Sequence, residues 1–143
     1  MTLYHVKIAR TPEEHYQGLS DVLRLPAYCG MLFVFDPMTA DAFCNRRTYV
    51  PLDLLFLGND GEIQEMGSLA SCLEQSSAQV TPKYAYRAAL EVPRGTAARH
   101  GLRIGDRLGL WLTAPSDHGM WAQVLRRSPV SSRSLRAPVL PGT

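Results

Sequence analysis

Gly30-Met31-Leu32-Phe33-Val34-Phe35, Ala42-Phe43-Cys44-Asn45-Arg46-Arg47-Thr48, Val50-Pro51-Leu52-Asp53-Leu54-Leu55-Phe56-Leu57 and Gly58-Asn59-Asp60-Gly61 are the stretch on which the fold turns. Residues 31–35 and 54–57 are apolar throughout. Each run is closed by turn residues, Asp36-Pro37 after the first and Gly58 to Gly61 after the second. That is the pattern of strands buried on both faces. A single acid, Asp53, interrupts the apolar stretch 50–57. An ionised carboxylate beside a buried strand must find donors or sit at a pocket mouth, which singles out Asp53.

Before this stretch, residues 3–10 alternate, with Tyr4, Val6 and Ile8 on one side and His5 and Lys7 on the other, as a half-buried strand requires. Thr11-Pro12-Glu13-Glu14 reads as a helix start: Thr11 caps, Pro12 fits the first helical position, and Glu14 completes a capping box. Gly18 stops this short helix, and residues 19–29 follow as an irregular connection. After the central stretch, Asn59-Asp60-Gly61 can take up positive φ in a hairpin, which makes 52–57 and 62–67 antiparallel neighbours. Residues 68–82, rich in Ser, Gln, Ala and Thr, read as a surface loop and the least ordered part of the domain. Tyr84 to Val92 returns to strand composition. Thr96 as cap and Gly101 as stop predict a one- or two-turn helix at 97–100. Arg107 to Thr113 alternates as a further strand. Five to seven short strands against two short helices predict a mainly β, compact sandwich- or barrel-like single domain.

The chain of 143 residues suits one domain, with 45% hydrophobic and 20% charged residues and a net charge of +2. Charge is unevenly placed. Residues 1–115 carry 11 basic and 12 acidic groups, net −1, whereas 116–143 carry four Arg and one Asp, net +3. We therefore divide the chain into a β domain over 1–115 and a basic Pro/Ser/Arg-rich arm over 116–143. Such a tail cannot bury enough apolar surface by itself to offset its ordering entropy. It is expected to dock on partner chains or on a second copy, with Arg126, Arg127, Arg133 and Arg136 as charged contacts and Leu135, Val139 and Leu140 as small anchors. Four Arg without interleaved aromatics do not call for nucleic acid.

Three cysteines, Cys29, Cys44 and Cys72, form no Cys-x-x-Cys pair and indicate neither a disulfide framework nor a zinc ribbon. They read as reduced, half-buried thiols. His5, His15, His100 and His118 are scattered, with no i, i+4 metal pair. No metal or cofactor is expected. Neither the serines nor the cysteines have the surroundings of a nucleophile, so no catalytic residue is assigned. Met1 to Ile8 lacks an export signal and no run approaches the roughly 20 residues that span a bilayer. The expectation is a cytoplasmic protein, or a virion component if phage-encoded, with no membrane association.

Taken in order, Glu13-Glu14, Gly18-Leu19, Gly30 to Phe35, Pro51 to Leu57, Asp60 to Ile63, Leu90-Glu91-Val92-Pro93-Arg94-Gly95-Thr96 and Gly105-Asp106 resemble the bacterial and archaeal family called domain of unknown function 192, over about residues 3–113. The resemblance implies a mostly β fold with little helix and no reaction. Members typically read Phe-Trp-Met-Lys-Asn-Thr where this chain has Phe43, Cys44, Asn45, Arg46, Arg47 and Thr48. The Gly-Leu-Met-x-Arg expected after the first helix is here Gly18-Leu19-Ser20-Asp21-Val22. The polar constellation that the resemblance supports is Arg46, Thr48, Asp53 and Glu91. It is either a ligand pocket, in which Arg46 meets an anionic group, or a structural network fixing strand ends, and the structural role is preferred. For the whole chain the first expectation is a non-catalytic assembly or interaction subunit, extending to a virion-associated role. The alternative is a small-ligand-binding domain or an enzyme with its pocket around Asp53.

Overall fold

The computed structural model describes residues 3–113 and 119–127. Strand β1 (Leu3–Ala9) buries Tyr4, Val6 and Ile8 and turns Leu3 and His5 to solvent, the alternation its sequence predicts. Helix α1 (Pro12–Gln17) begins with the expected capping box. Glu14 N–H donates to Thr11 Oγ1 at 3.1 Å, and Thr11 N–H donates to Glu14 Oε1 at 3.0 Å. Gly18 N–H closes the helix on Glu14 O at 2.9 Å. The crossover through α1 lets β2 (Cys29–Thr39) run parallel to β1, a pairing that tight hairpins cannot make. Asp36-Pro37, expected to end this strand, lies within it. The register against β7 shifts between Val34 and Thr39, and such irregularities are where a strand tolerates proline.

Strands β4 (Leu52–Leu57) and β5 (Ile63–Leu69) form the predicted hairpin, and β7 (Tyr86–Pro93) pairs with β4 on its other side. Helix α2 (Thr96–Arg99), β8 (Arg107–Leu112) and β9 (Trp121–Arg127) follow. These strands make one seven-stranded sheet in the order β5-β4-β7-β2-β1-β9-β8. The short pieces β3 (Phe43–Cys44) and β6 (Gln79–Val80) pair separately as a ribbon. The mainly β, barrel-like expectation therefore holds, with nine strands among the described residues.

The sheet curls until its two edges meet. Ile63 N–H donates to Asp106 O at 2.8 Å, Gly105 N–H to Ile63 O at 2.9 Å, and Leu108 N–H to Gly61 O at 3.0 Å. These bonds join the start of β5 to the start of β8. Gly61 makes the approach possible: its φ is +82°, and a Cβ there would lie 2.2 Å from Leu108 O. The inner face packs Tyr4, Val6, Leu32, Leu55, Leu90, Leu110 and Val124 into one core. On the outer face of β2, β4 and β7 a second core holds Met31, Phe33, Leu54, Phe56, Tyr86 and Ala89 with Leu19, Leu25 and Phe43.

Three further expectations need correction. The segment 68–82 is pinned through buried Asn45, whose Nδ2 donates to Ala70 O at 3.0 Å and Gln75 O at 2.6 Å while Oδ1 accepts from Ala78 N–H at 3.0 Å. Its polar composition hides an anchor supplied from β3's end. Thr96 does not cap α2. Gly95 occupies the cap with φ +92°, and Thr96 is the first helical residue and buried. Finally, the boundary at 115 falls too early, because β9 lies inside the sheet between β1 and β8. Ala122 and Val124 alternate into the inner core there, a short periodicity masked by the surrounding arginines.

Candidate ligand-binding pocket

Strand alternation decides where the predicted site residues go. Asp53 shares a face of β4 with Leu55 and Leu57, which are inner-core residues. Glu91 stands beside Leu54 and Met31 in the neighbouring strands, and Leu54 and Met31 belong to the outer core. Asp53 and Glu91 therefore point to opposite faces of the sheet, and the four-residue constellation divides. Arg46, Thr48 and Glu91 stay together on the outer side.

Asp53 serves α2. Its Oδ2 accepts from Gly95 N–H at 3.1 Å and Ala97 N–H at 3.0 Å. These are donors that a helix N-terminus leaves without intrahelical partners, so a buried carboxylate on β4 supplies the cap that the helix's own sequence lacks. The shallow depression beside it, about 470 Å³, is bordered by Met66, Ser68, Arg94 and Leu102.

Glu91 is placed otherwise. The residue is 4% exposed, and among the described residues nothing donates a hydrogen bond to its carboxyl or pairs with it as an ion. Burial pushes the group up to about 8. The carboxyl borders a cavity of about 380 Å³ between the outer sheet face and the layer formed by α1, residues 18–20 and β3. Phe33, Phe35, Phe43 and Tyr86 form its aromatic wall, with edge-on contacts at 5.0 Å between Phe33 and Phe43 and 5.4 Å between Phe35 and Tyr86. Tyr86 is fixed by donating from its hydroxyl to Asp41 O at 2.7 Å.

His15, on α1, completes the wall. Its Nε2 lies 2.9 Å from Val34 O and 3.1 Å from Ala9 O, so this nitrogen carries the hydrogen and donates to both carbonyls. The Arg46 guanidinium lies over the Tyr16 ring, 4.2 Å from its centre. Its backbone carbonyl accepts from Thr48 Oγ1 at 3.2 Å and Ser20 Oγ at 3.3 Å. Thr48 thus shapes the pocket loop. Arg47 and Asp21 clamp the same loop to the chain after α1, through an ion pair and through Asp21 N–H donating to Arg47 O at 2.8 Å.

Among the described residues the histidines and cysteines do not gather into a metal-holding cluster. His100 meets the Tyr4 hydroxyl through Nδ1 at 2.6 Å, and His118 lies outside the described residues. Cys44 is exposed at the pocket, while Cys29 and Cys72 are half-buried. Of the residues assigned to the arm, Arg126 is turned into the domain, donating to Asp106 Oδ2 at 2.7 Å and His100 O at 3.1 Å. Arg127 pairs with Arg107 in the sheet. Arg133, Leu135, Arg136, Val139 and Leu140 lie outside the described residues. No described helix is long and apolar enough to cross a membrane.

Residues 2–110 match the model of a protein family described as Uncharacterized ACR, DUF192. The chain belongs to the domain of unknown function 192 family. No curated protein matches it. Two solved structures are similar. One, from Sinorhizobium meliloti 1021 and named a "putative transcription regulator", is 31% identical, with 71% of this chain and 78% of that one covered and a TM-score of 0.67. The other, a protein of unknown function from Novosphingobium aromaticivorans DSM 12444, is 29% identical with 71% of each chain covered and a TM-score of 0.66. Against the family pattern named above, Arg47 replaces an Asn at φ +53°, a left-handed position for which Asn is well suited. The Met position is taken by Asn45, the anchor of the 70–78 segment.

Glu91 stands out in the sequence together with Arg46 and Thr48, but so does Asp53, which the fold turns to the other face, whereas His15, Phe35, Phe43 and Tyr86 do not mark themselves as pocket residues. The parity of Glu91 against Ala89 and of Asp53 against Leu55 carries the separation of the two acids. The aromatic wall left no local signal, because its members come from three separate strands.

Proposed function

We propose that this chain is a small-ligand-binding domain whose pocket lies between α1 and the outer face of β2 and β7. The observation that carries it is the Glu91 carboxyl, nearly buried, without a partner among the described residues and opening on a cavity of about 380 Å³. Buried polar groups that serve structure are satisfied internally, as Asp53 is. A group left over at a concave, mostly aromatic wall is the arrangement small-molecule sites use. Arg46 at the same pocket offers a second polar handle.

The test is a thermal-shift screen of the full chain with small molecules of all charge classes, repeated on Ala42→Trp. Ala42 is exposed at the pocket and its enlargement narrows the entrance without touching either core. A ligand at roughly 100 times its Kd adds about 2.7 kcal/mol. Compounds that raise the melting temperature of the wild type and not of Ala42→Trp support the pocket. If every shift persists in that variant, or no compound gives one, the pocket is not a binding site. A carboxyl near neutrality is also suited to general acid–base work, so turnover of any compound found would make the domain an enzyme. The arm-mediated assembly role rests on the basic segment 116–143, of which residues 128–143 come after β9, and is separated from this one by truncation, below.

A further inference from the structure

We propose, resting on the pocket described above, that its ligand is a small organic ammonium with an apolar or aromatic body, held by Glu91 at its charged end and by the Phe33, Phe35, Phe43 and Tyr86 wall along its length. The lateral neighbours of Glu91 are Met31 and Leu54 across the strands. Neither donates a hydrogen bond. A carboxyl so enclosed lacks what an ammonium supplies, namely positive charge and N–H donors. Aromatic faces add to this, since their quadrupole attracts a desolvated cation. An anionic ligand would bring like charge against Glu91 once that group ionises, in a poorly screened site. Arg46, the cation of this pocket, already has its guanidinium on Tyr16.

The other titratable groups at the cavity are His15 and Tyr16 of α1, Asp41 before β3, Cys44 of β3, Arg46 after it and Tyr86 of β7. Phe33 and Phe35 of β2 and Leu54 of β4 bring none. Binding of an ammonium requires ionised Glu91, which holds its proton up to about 8 when the pocket is empty. Ammonium affinity therefore rises with pH through that range, with release of a proton. A neutral hydrogen-bond acceptor would instead use the protonated carboxyl and lose affinity over the same range.

The experiment compares three probes of one shape by calorimetry on the full chain: 2-phenylethylamine, 2-phenylethanol and 3-phenylpropanoate. The expected result is that the amine binds roughly tenfold or more tightly than the alcohol at about pH 8.5. The preference should shrink toward about pH 6, and Glu91→Gln should remove it. Buffers of different ionisation enthalpy should show a proton released on binding at about pH 7. Ala42→Trp, in which Glu91 is unchanged, should lose amine binding, which places the probe in this pocket whatever the fate of the Glu91 variant. If the alcohol or the carboxylate binds as tightly as the amine and is lost in Ala42→Trp, the ammonium class is wrong while the pocket stands. Amine binding that survives Ala42→Trp, keeps its preference in Glu91→Gln, or is not detected at all also overturns the ammonium assignment.

Discussion

Asp53 and Glu91 occupy adjacent strands one register step apart, and their fates differ because one faces a helix end and the other faces a cavity. Removing Asp53 leaves the Gly95 and Ala97 N–H groups without their acceptor. Asp53→Ala should cost about 1–3 kcal/mol in urea unfolding, the range for leaving buried donors unsatisfied. Glu91 acts in the opposite sense. Its folded carboxyl keeps a proton up to about 8, whereas the unfolded chain releases it in the ordinary carboxylate range, so folding stability falls as pH rises through the interval between. The slope is about 1.4 kcal/mol per pH unit. Glu91→Gln should remove it, so that the variant gains on the wild type by a few kcal/mol between about pH 5 and pH 8. A wild-type–variant difference constant over that range would show that Glu91 is not a buried, unpaired acid.

At the scale of elements, the barrel-like curl depends on a few backbone bonds rather than on a continuous ladder. Gly61 stands at this seam. In Gly61→Ala the added Cβ meets Leu108 O and the left-handed φ is penalised, so the edges should part locally. Hydrogen exchange should show the amides of Ile63 and Leu108 losing protection while those of β4 and β7 keep theirs. Unchanged protection at both amides would mean that the seam does not depend on Gly61. Much at this scale was legible in the sequence. Thr11 with Glu14 wrote a capping box, Asn59-Asp60-Gly61 a hairpin, and the alternation of Tyr4, Val6 and Ile8 a strand. What could not be read was stabilised from afar: the β3–β6 ribbon has two residues in each piece, and the expected helix α2 borrows its cap from β4.

For the molecule as a whole, local pattern conveyed the class of fold and the family but not which side chains meet. β9 shows why. It sits between β1 and β8, so its register is set on one side by a strand at the far end of the chain, while its own composition resembles the tail that follows. A truncation after Arg127 should therefore keep the far-ultraviolet spectrum and a cooperative melt, whereas one after Pro115 should lose both. If the shorter form still melts cooperatively, β9 is dispensable and the domain does end near 115. The longer form also bears on assembly: an arm that docks on partner chains predicts loss of association without loss of fold. The pocket likewise belongs to the whole molecule, since α1, β2, β3 and β7 each supply part of its wall.

The most direct measurement is a carbon-13 NMR titration of the Glu91 side-chain carboxyl in the full chain without ligand. A midpoint near 8 is predicted, displaced downward when 2-phenylethylamine is added. A midpoint in the ordinary carboxylate range, unmoved by the amine, would contradict both the unpaired buried acid and the pocket built around it.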